Sequence, residues 1–76
     1  MALVDDVKGL IEGALPGAEV EVIDEGGGDH LRVNVAASQF EGLSLIEQHR
    51  LVNEALAAPL ADGTIHELRI QTKGSQ

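Results

Sequence analysis

Apolar residues recur every three or four positions at the start of the chain, and this spacing predicts an amphipathic helix over residues 3–15. Asp5 and Asp6 lie in its first turn, where negative charge suits the positive end of the helix dipole. Pro16 and Gly17 are expected to end it. The apolar face is predicted to consist of Leu3, Val4, Val7, Leu10, Ile11, Ala14 and Leu15.

Two stretches, residues 18–24 and 30–36, alternate between apolar and polar positions, as half-buried β-strands do. The glycine-rich residues 25–29 break the alternation and are predicted to form a turn or loop. Two strands joined in this way favour an antiparallel hairpin. The positions expected on one side are Val20, Val22, Leu31, Val33 and Val35.

Two capping boxes predict two helical segments after the hairpin. The first box, Ser38 to Glu41, begins a single turn that Gly42 ends, and the second, in residues 44–47, begins a longer helix to about Leu56. The apolar stripe of the longer helix is predicted to be Leu45, His49, Val52 and Leu56, with Glu47, Arg50 and Glu54 facing away.

The last part of the pattern completes an α+β fold. Pro59 and the pair Asp62-Gly63 are expected to end the helical region, and residues 65–72 alternate as a third strand. The order helix-strand-strand-helix-helix-strand predicts a single domain over residues 1–76, with a three-stranded sheet and helices on one face, similar to a KH-like module.

The composition limits the size of the core, the ways in which the domain can be stabilised and its expected location. A chain of 76 residues with one aromatic residue, Phe40, must have a small aliphatic core. It has no cysteine, so neither a disulfide nor a thiolate metal site can stabilise it from within. The sequence shows neither a long apolar stretch nor a signal-peptide pattern, so we expect a soluble cytoplasmic protein.

Charge and motifs argue against several functions. With 13 acidic and 5 basic residues, the net charge of −8 repels phosphate backbones. The glycines at 26–28 lie between two strands, unlike a phosphate-binding loop. Ser38 and Ser44 are explained as helix caps, and no nucleophile elbow is present. The protein is therefore not expected to be an enzyme.

Three histidines are the remaining candidates for chemistry. His49 lies in a helical apolar stripe and is more simply a packed residue than a ligand. His30 opens the second strand and is expected to be exposed. His66 begins the third strand with the parity of Leu68 and Ile70, which favours a half-buried structural residue. Structural metal sites usually need four ligands, so His66 and His30 could hold a metal only if a partner supplied the rest, most readily as thiolates.

Several segments together resemble the BolA-like family. They are residues 29–33 (DHLRV), 40–45 (FEGLSL) and 48–53 (QHRLVN), followed by Leu56 and the pair Ile65-His66. The resemblance extends from about Val20 to Thr72. The family's order of helices and strands agrees with the order predicted above.

This resemblance implies a non-enzymatic partner of monothiol glutaredoxins. In such complexes a bridging 2Fe-2S cluster is held by the glutaredoxin cysteine, by the thiolate of glutathione that the partner supplies, and by ligands from the BolA protein. The family's C-terminal histidine matches His66. The second ligand comes from the loop between the first two strands, where relatives carry cysteine or histidine, and His30 is the candidate here because the cysteine position corresponds to glycine near Gly27.

Other implications concern the partner surface and a second function. The helix that contains Arg50 and the loop glycines Gly27 and Gly28 are expected to contact the glutaredoxin. Gln48 departs from the arginine that is common in relatives. Family members are also described as stress-related transcription regulators that use a helix-turn-helix-like region, so DNA binding is the alternative, although the acidic balance disfavours it.

Overall fold

The computed structural model describes residues 3–27 and 30–74. Its helices and strands follow the predicted order, with a one-turn 3-10 helix between β2 and α2. Their bounds are α1 Leu3–Ala14, β1 Glu19–Gly26, β2 His30–Ala36, the 3-10 helix Ser38–Phe40, α2 Leu45–Ala55, α3 Ala57–Ala61 and β3 Glu67–Lys73. The predicted α+β fold class is confirmed.

The three strands form one sheet with β2 in the middle. β1 and β2 pair antiparallel, which confirms the predicted hairpin, whereas β3 pairs parallel to β2. A parallel neighbour needs a long crossover connection, and the helices between β2 and β3 provide it. The starts of β2 and β3 consequently lie side by side, with His30 opposite Glu67.

The helices pack on one face of this sheet. α1 contacts β1 and α2, and α2 also contacts β3. The core between them is aliphatic apart from one phenylalanine, as the composition required. Its buried residues are Val7, Ile11, Leu15, Leu31, Val33, Val35, Ala37, Phe40, Val52, Leu56 and Ile65. The opposite face, which we call the open face, carries mostly polar and charged side chains.

Strand β1 is longer than predicted. It was expected to end at residue 24, but it continues to Gly26, which pairs with His30. Between Asp24 and Gly26 the register shifts, so Glu25 is the extra residue of a β-bulge. Glycine accommodates the bulge because Gly26 has a φ of 146°, a value that side chains with a Cβ rarely adopt.

The helical region differs from the predictions at two points and agrees with them at a third. The first capping box is wrong, because the 3-10 helix starts at Ser38 itself and its N-cap is Ala37. The second box is confirmed: Ser44 caps α2, and Glu47 bonds back to the Ser44 backbone. Pro59 does not end the helical region but lies in the first turn of α3, where a missing N–H costs nothing.

Two predicted core leucines are exposed. Leu45 is 61% exposed in the first turn of α2, and Leu10 is 43% exposed on α1. The helical face of α2 that meets the core is centred further along, on Val52 and Leu56, so its first turn does not reach the buried cluster. Ala14, at the end of α1, is also exposed.

Candidate functional site

The structure brings two of the three histidines together. The imidazoles of His30 and His66 stack with ring centroids 5.8 Å apart and an angle of 27° between their planes. That distance lies within the usual range for stacked rings. Both side chains are exposed, as expected for His30. The pair presents four ring nitrogens at one end of the sheet.

His66 corrects a prediction from strand parity. It was expected to begin the third strand on the apolar face, but β3 begins one residue later, at Glu67. His66 lies in the bend of residues 64–66 and is exposed, so it is not a half-buried structural residue. The backbone N–H of the preceding residue, Ile65, donates to the Pro59 carbonyl at 3.0 Å, and the Ile65 side chain is buried. This anchor fixes the chain immediately before His66.

Parallel pairing explains why the histidines meet. His30 is the first residue of β2, and His66 immediately precedes β3. In a parallel pair the two strand starts share one end of the sheet. The turn after Gly26 reaches the same end, with Gly27 at a φ of 72°, in the left-handed region that glycine tolerates. Gly28, predicted to contact a partner, lies outside the described residues.

A set of charged side chains on the open face borders the histidines; we call it the charge ladder, and it consists of Glu25, Arg32, Glu67 and Arg69. Arg32 Nη2 lies 2.7 Å from Glu25 Oε2, and Arg69 Nε lies 3.9 Å from Glu25 Oε1 and 4.0 Å from Glu67 Oε2. Glu67 Oε1 in turn lies 3.8 Å from His30 Nδ1. The ladder therefore connects all three strands to the histidine pair.

Three residues of the ladder, Glu25, Glu67 and Arg69, also line a shallow cavity of about 270 Å³, together with His30 and Leu31. No motif in the sequence distinguishes Glu67 from the other acidic residues. Alternation does predict its direction, because it directly precedes the inward Leu68 and so belongs to the open face. Its position opposite His30, however, depends on the register between β2 and β3, which the sequence does not reveal.

The remaining candidates lie elsewhere. Arg50 is exposed on α2, as predicted, beside the capping residue Glu47. His49 is half-buried on the same helix, which agrees with a packed residue. Neither belongs to the stacked pair.

The histidine pair lacks further metal ligands among the described residues. Within residues 3–27 and 30–74, no group of three or more histidine, aspartate or glutamate side chains could hold a metal ion. Imidazole is a ligand for zinc and for some iron–sulfur centres, so the pair has suitable donor chemistry. Two exposed imidazoles supply two of the four ligands that a structural metal site usually needs.

Comparison with known proteins shows the family. A family model for BolA-like protein matches residues 12–76. The chain belongs to the BolA-like family. The BolA-like protein 1 of Mus musculus is 41% identical over 75 residues, which cover 88% of this chain and 54% of that protein. This chain thus spans about half the length of that BolA-like relative.

Solved BolA structures share the fold. The BolA domain of SufE1 from Arabidopsis thaliana superposes with a TM-score of 0.86 at 28% identity, covering 97% of this chain and 93% of that one. BolA1 from the same plant has a TM-score of 0.81 at 25% identity, covering 93% and 89%. This BolA-like chain therefore has the family's fold over nearly its whole length. No helix within its described parts is long and apolar enough to cross a membrane.

Proposed function

We propose that this BolA-like chain is a non-enzymatic adaptor that binds a monothiol glutaredoxin and shares its bridging 2Fe-2S cluster through His66 and His30. The observation that carries this proposal is the stacked, exposed imidazole pair, with its 5.8 Å centroid separation. Metal–nitrogen bonds are about 2 Å long, so modest ring rotations would direct both histidines at one metal centre.

The chemistry of the donor set supports this function. Histidine nitrogens replace two thiolates on one iron in some 2Fe-2S proteins. Because this chain has no cysteine, the thiolates must come from the glutaredoxin and its bound glutathione. The cluster would supply the transferable iron–sulfur centre, and the BolA-like chain would supply two neutral nitrogen ligands and the surface that orients them. Residence in the cytoplasm, where glutathione is reduced, is part of the proposal.

The partner surface in this proposal includes Gly27 at the turn and Arg50 on α2. The turn borders the histidines, and glycine lets a partner backbone approach closely. Arg50 is an exposed cation in a chain of net charge −8, so it offers a specific contact for a partner carboxylate.

The test mixes the chain with cluster-loaded monothiol glutaredoxin. We expect the cluster's visible absorption and circular dichroism to change, because nitrogen replaces another ligand. His66→Ala should abolish most of that change, whereas the matched control His49→Ala should keep it, after far-ultraviolet circular dichroism shows that each variant is folded. If His66→Ala leaves both the spectral change and the affinity intact, the ligand assignment is wrong.

Iron-free glutaredoxin separates this function from a metal-free adaptor. We expect weaker binding without the cluster, since the two histidine–metal bonds are missing. Equal affinity for the iron-free protein, unaffected by replacing both His30 and His66, would instead assign a metal-free contact.

A further inference from the structure

Glu67 contacts one histidine of the pair from the neighbouring strand. It is the register partner of His30 across the parallel β2–β3 pair. Its Oε1 atom lies 3.8 Å from His30 Nδ1, which is longer than a hydrogen bond but short enough for a direct charge contact. The carboxylate thus faces one particular nitrogen of the ring.

Glu67 is itself positioned by the charge ladder. Its other oxygen, Oε2, faces Arg69 Nε at 4.0 Å, and the same Arg69 nitrogen lies 3.9 Å from Glu25. Glu25 is in turn held by Arg32 at 2.7 Å. Glu25 lies between two guanidinium groups, and Glu67 lies between the Arg69 guanidinium and the His30 ring, so the position of Glu67 is set by contacts that extend across the whole sheet.

We propose that Glu67 is a positioning residue for the His30 ligand. Its carboxylate favours the tautomer in which His30 Nδ1 carries the proton, and Nε2 then carries the lone pair that binds metal. Histidine ligands commonly donate their second nitrogen to a carboxylate, which fixes the tautomer and the ring orientation and makes the ligand more basic. This inference rests on the proposed cluster-sharing function, but its first test does not.

The exposure of the two side chains limits how much Glu67 can contribute to metal affinity. The side chains of His30 and Glu67 are 46% and 54% exposed, so water screens their contact. Losing a carboxylate partner of a metal-bound histidine typically lowers metal affinity about 10-fold to 100-fold. We expect the lower end of that range here.

The first experiment measures the histidine tautomer in the metal-free chain. Long-range nitrogen–proton NMR in alkaline buffer, where imidazole is neutral, distinguishes Nδ1–H from Nε2–H. We expect His30 to favour Nδ1–H and Glu67→Gln to move it toward Nε2–H, which predominates in water. The control Glu19→Gln removes the same charge from the other end of the open face and should leave His30 unchanged. The inference would be overturned if His30 favoured the Nε2–H tautomer in the unmodified chain, or if Glu67→Gln did not change the tautomer.

The second experiment titrates the same variants with cluster-loaded monothiol glutaredoxin. Glu67→Gln should weaken the complex about tenfold, while Glu19→Gln should leave it unchanged. Equal weakening by both would reduce the role of Glu67 to overall charge and contradict the inference. If the unmodified chain causes no spectral change at all, the proposed function fails, whereas the tautomer measurement still decides whether Glu67 positions His30.

Discussion

Thr72 on β3 donates a 2.5 Å side-chain hydrogen bond to Gln48 on α2. The Gln48 amide nitrogen donates to the backbone carbonyls of Leu43 at 3.0 Å and Phe40 at 3.4 Å. One half-buried amide therefore joins the helix, the segment before it and the edge strand that follows His66. Gln48 is also the position at which the family resemblance implies an arginine.

Replacing Gln48 should show how much these hydrogen bonds contribute to the free energy of unfolding. Gln48→Ala leaves the Leu43 carbonyl and the Thr72 hydroxyl without this partner, while the Phe40 carbonyl keeps the backbone N–H of Leu43, so we expect the variant to lower the free energy of unfolding by about 1–3 kcal/mol. Gln48→Arg should cost less, because a guanidinium still donates to carbonyls and the Thr72 hydroxyl can rotate to accept. Urea denaturation checks both variants. Gln71→Ala, an exposed glutamine on β3, is the control, and a loss equal to that of Gln48→Ala would contradict the role of the bonds.

The confirmed capping box predicts how stability depends on pH. Two hydrogen bonds from Ser44, first from its backbone N–H and then from its hydroxyl, hold the pKa of Glu47 below its ordinary value of 4.5, and the charge of Arg50 acts in the same direction. A carboxyl group with a lowered pKa in the folded state stabilises the fold above its ordinary pKa and loses that contribution as the pH falls through the folded value.

We therefore expect the free energy of unfolding to decrease as the pH falls below about 4.5, with a smaller decrease in Glu47→Gln. Denaturant titrations between neutral and acidic pH measure the difference. Glu54→Gln removes the same charge from the same helix and serves as the control. Identical pH profiles for Glu47→Gln and the unmodified chain would refute the contribution of the capping carboxylate.

Two leucines on or beside α2 should differ sharply in their effect on stability. Leu56 is fully buried, so Leu56→Ala should lower the free energy of unfolding by about 2–5 kcal/mol through lost burial and a cavity. Leu45 is 61% exposed, so Leu45→Ala should change it by less than about 0.5 kcal/mol. Thermal or chemical denaturation compares them, and comparable losses would place the first turn of α2 in the core after all.

The sequence predicts the fold correctly where the spacing of apolar residues directly indicates which side chains are buried. The inward positions of β2, Leu31, Val33 and Val35, are all buried as alternation predicted. The sequence does not predict burial correctly where a helix or strand extends beyond the elements that it packs against. Leu45 has the spacing of the buried residues of α2, but periodicity gives the direction of a side chain and not whether another element lies opposite.

The candidate site was predictable in its residues but not in its assembly. The exposure of His30 followed from strand parity, and the choice of His66 as a candidate ligand followed from the family resemblance. Their contact depends on β3 pairing parallel to β2, a long-range choice that no local pattern encodes. The same register places Glu67 beside His30, which is why sequence analysis missed it.

The alternative of DNA binding gives a simple expectation. Neutralising the charge of DNA phosphates requires cations, and the chain has 5 basic residues against 13 acidic ones. On α2, the exposed Arg50 lies beside Glu47 and near Glu54 in the sequence. We expect no retention of the isolated chain on duplex DNA even at low salt, measured by electrophoretic mobility or fluorescence anisotropy. Retention that weakens steeply with added salt would restore the regulator hypothesis.

The identity of the second cluster ligand can be tested by moving a thiolate into the turn. His30→Ala should weaken cluster sharing with the glutaredoxin, and adding Gly27→Cys to that variant should restore it, because the family resemblance implies a cysteine ligand near this position. The restored complex should have a different visible spectrum, since sulfur replaces nitrogen on iron.

The matched control is Gly27→Ser in the same His30→Ala background. Serine has nearly the same size as cysteine and the same backbone cost at a φ of 72°, but it lacks a thiolate. Rescue by cysteine and not by serine would show that a ligand at this turn can replace His30, whereas undiminished cluster sharing by His30→Ala would leave His66 as the sole ligand from this chain.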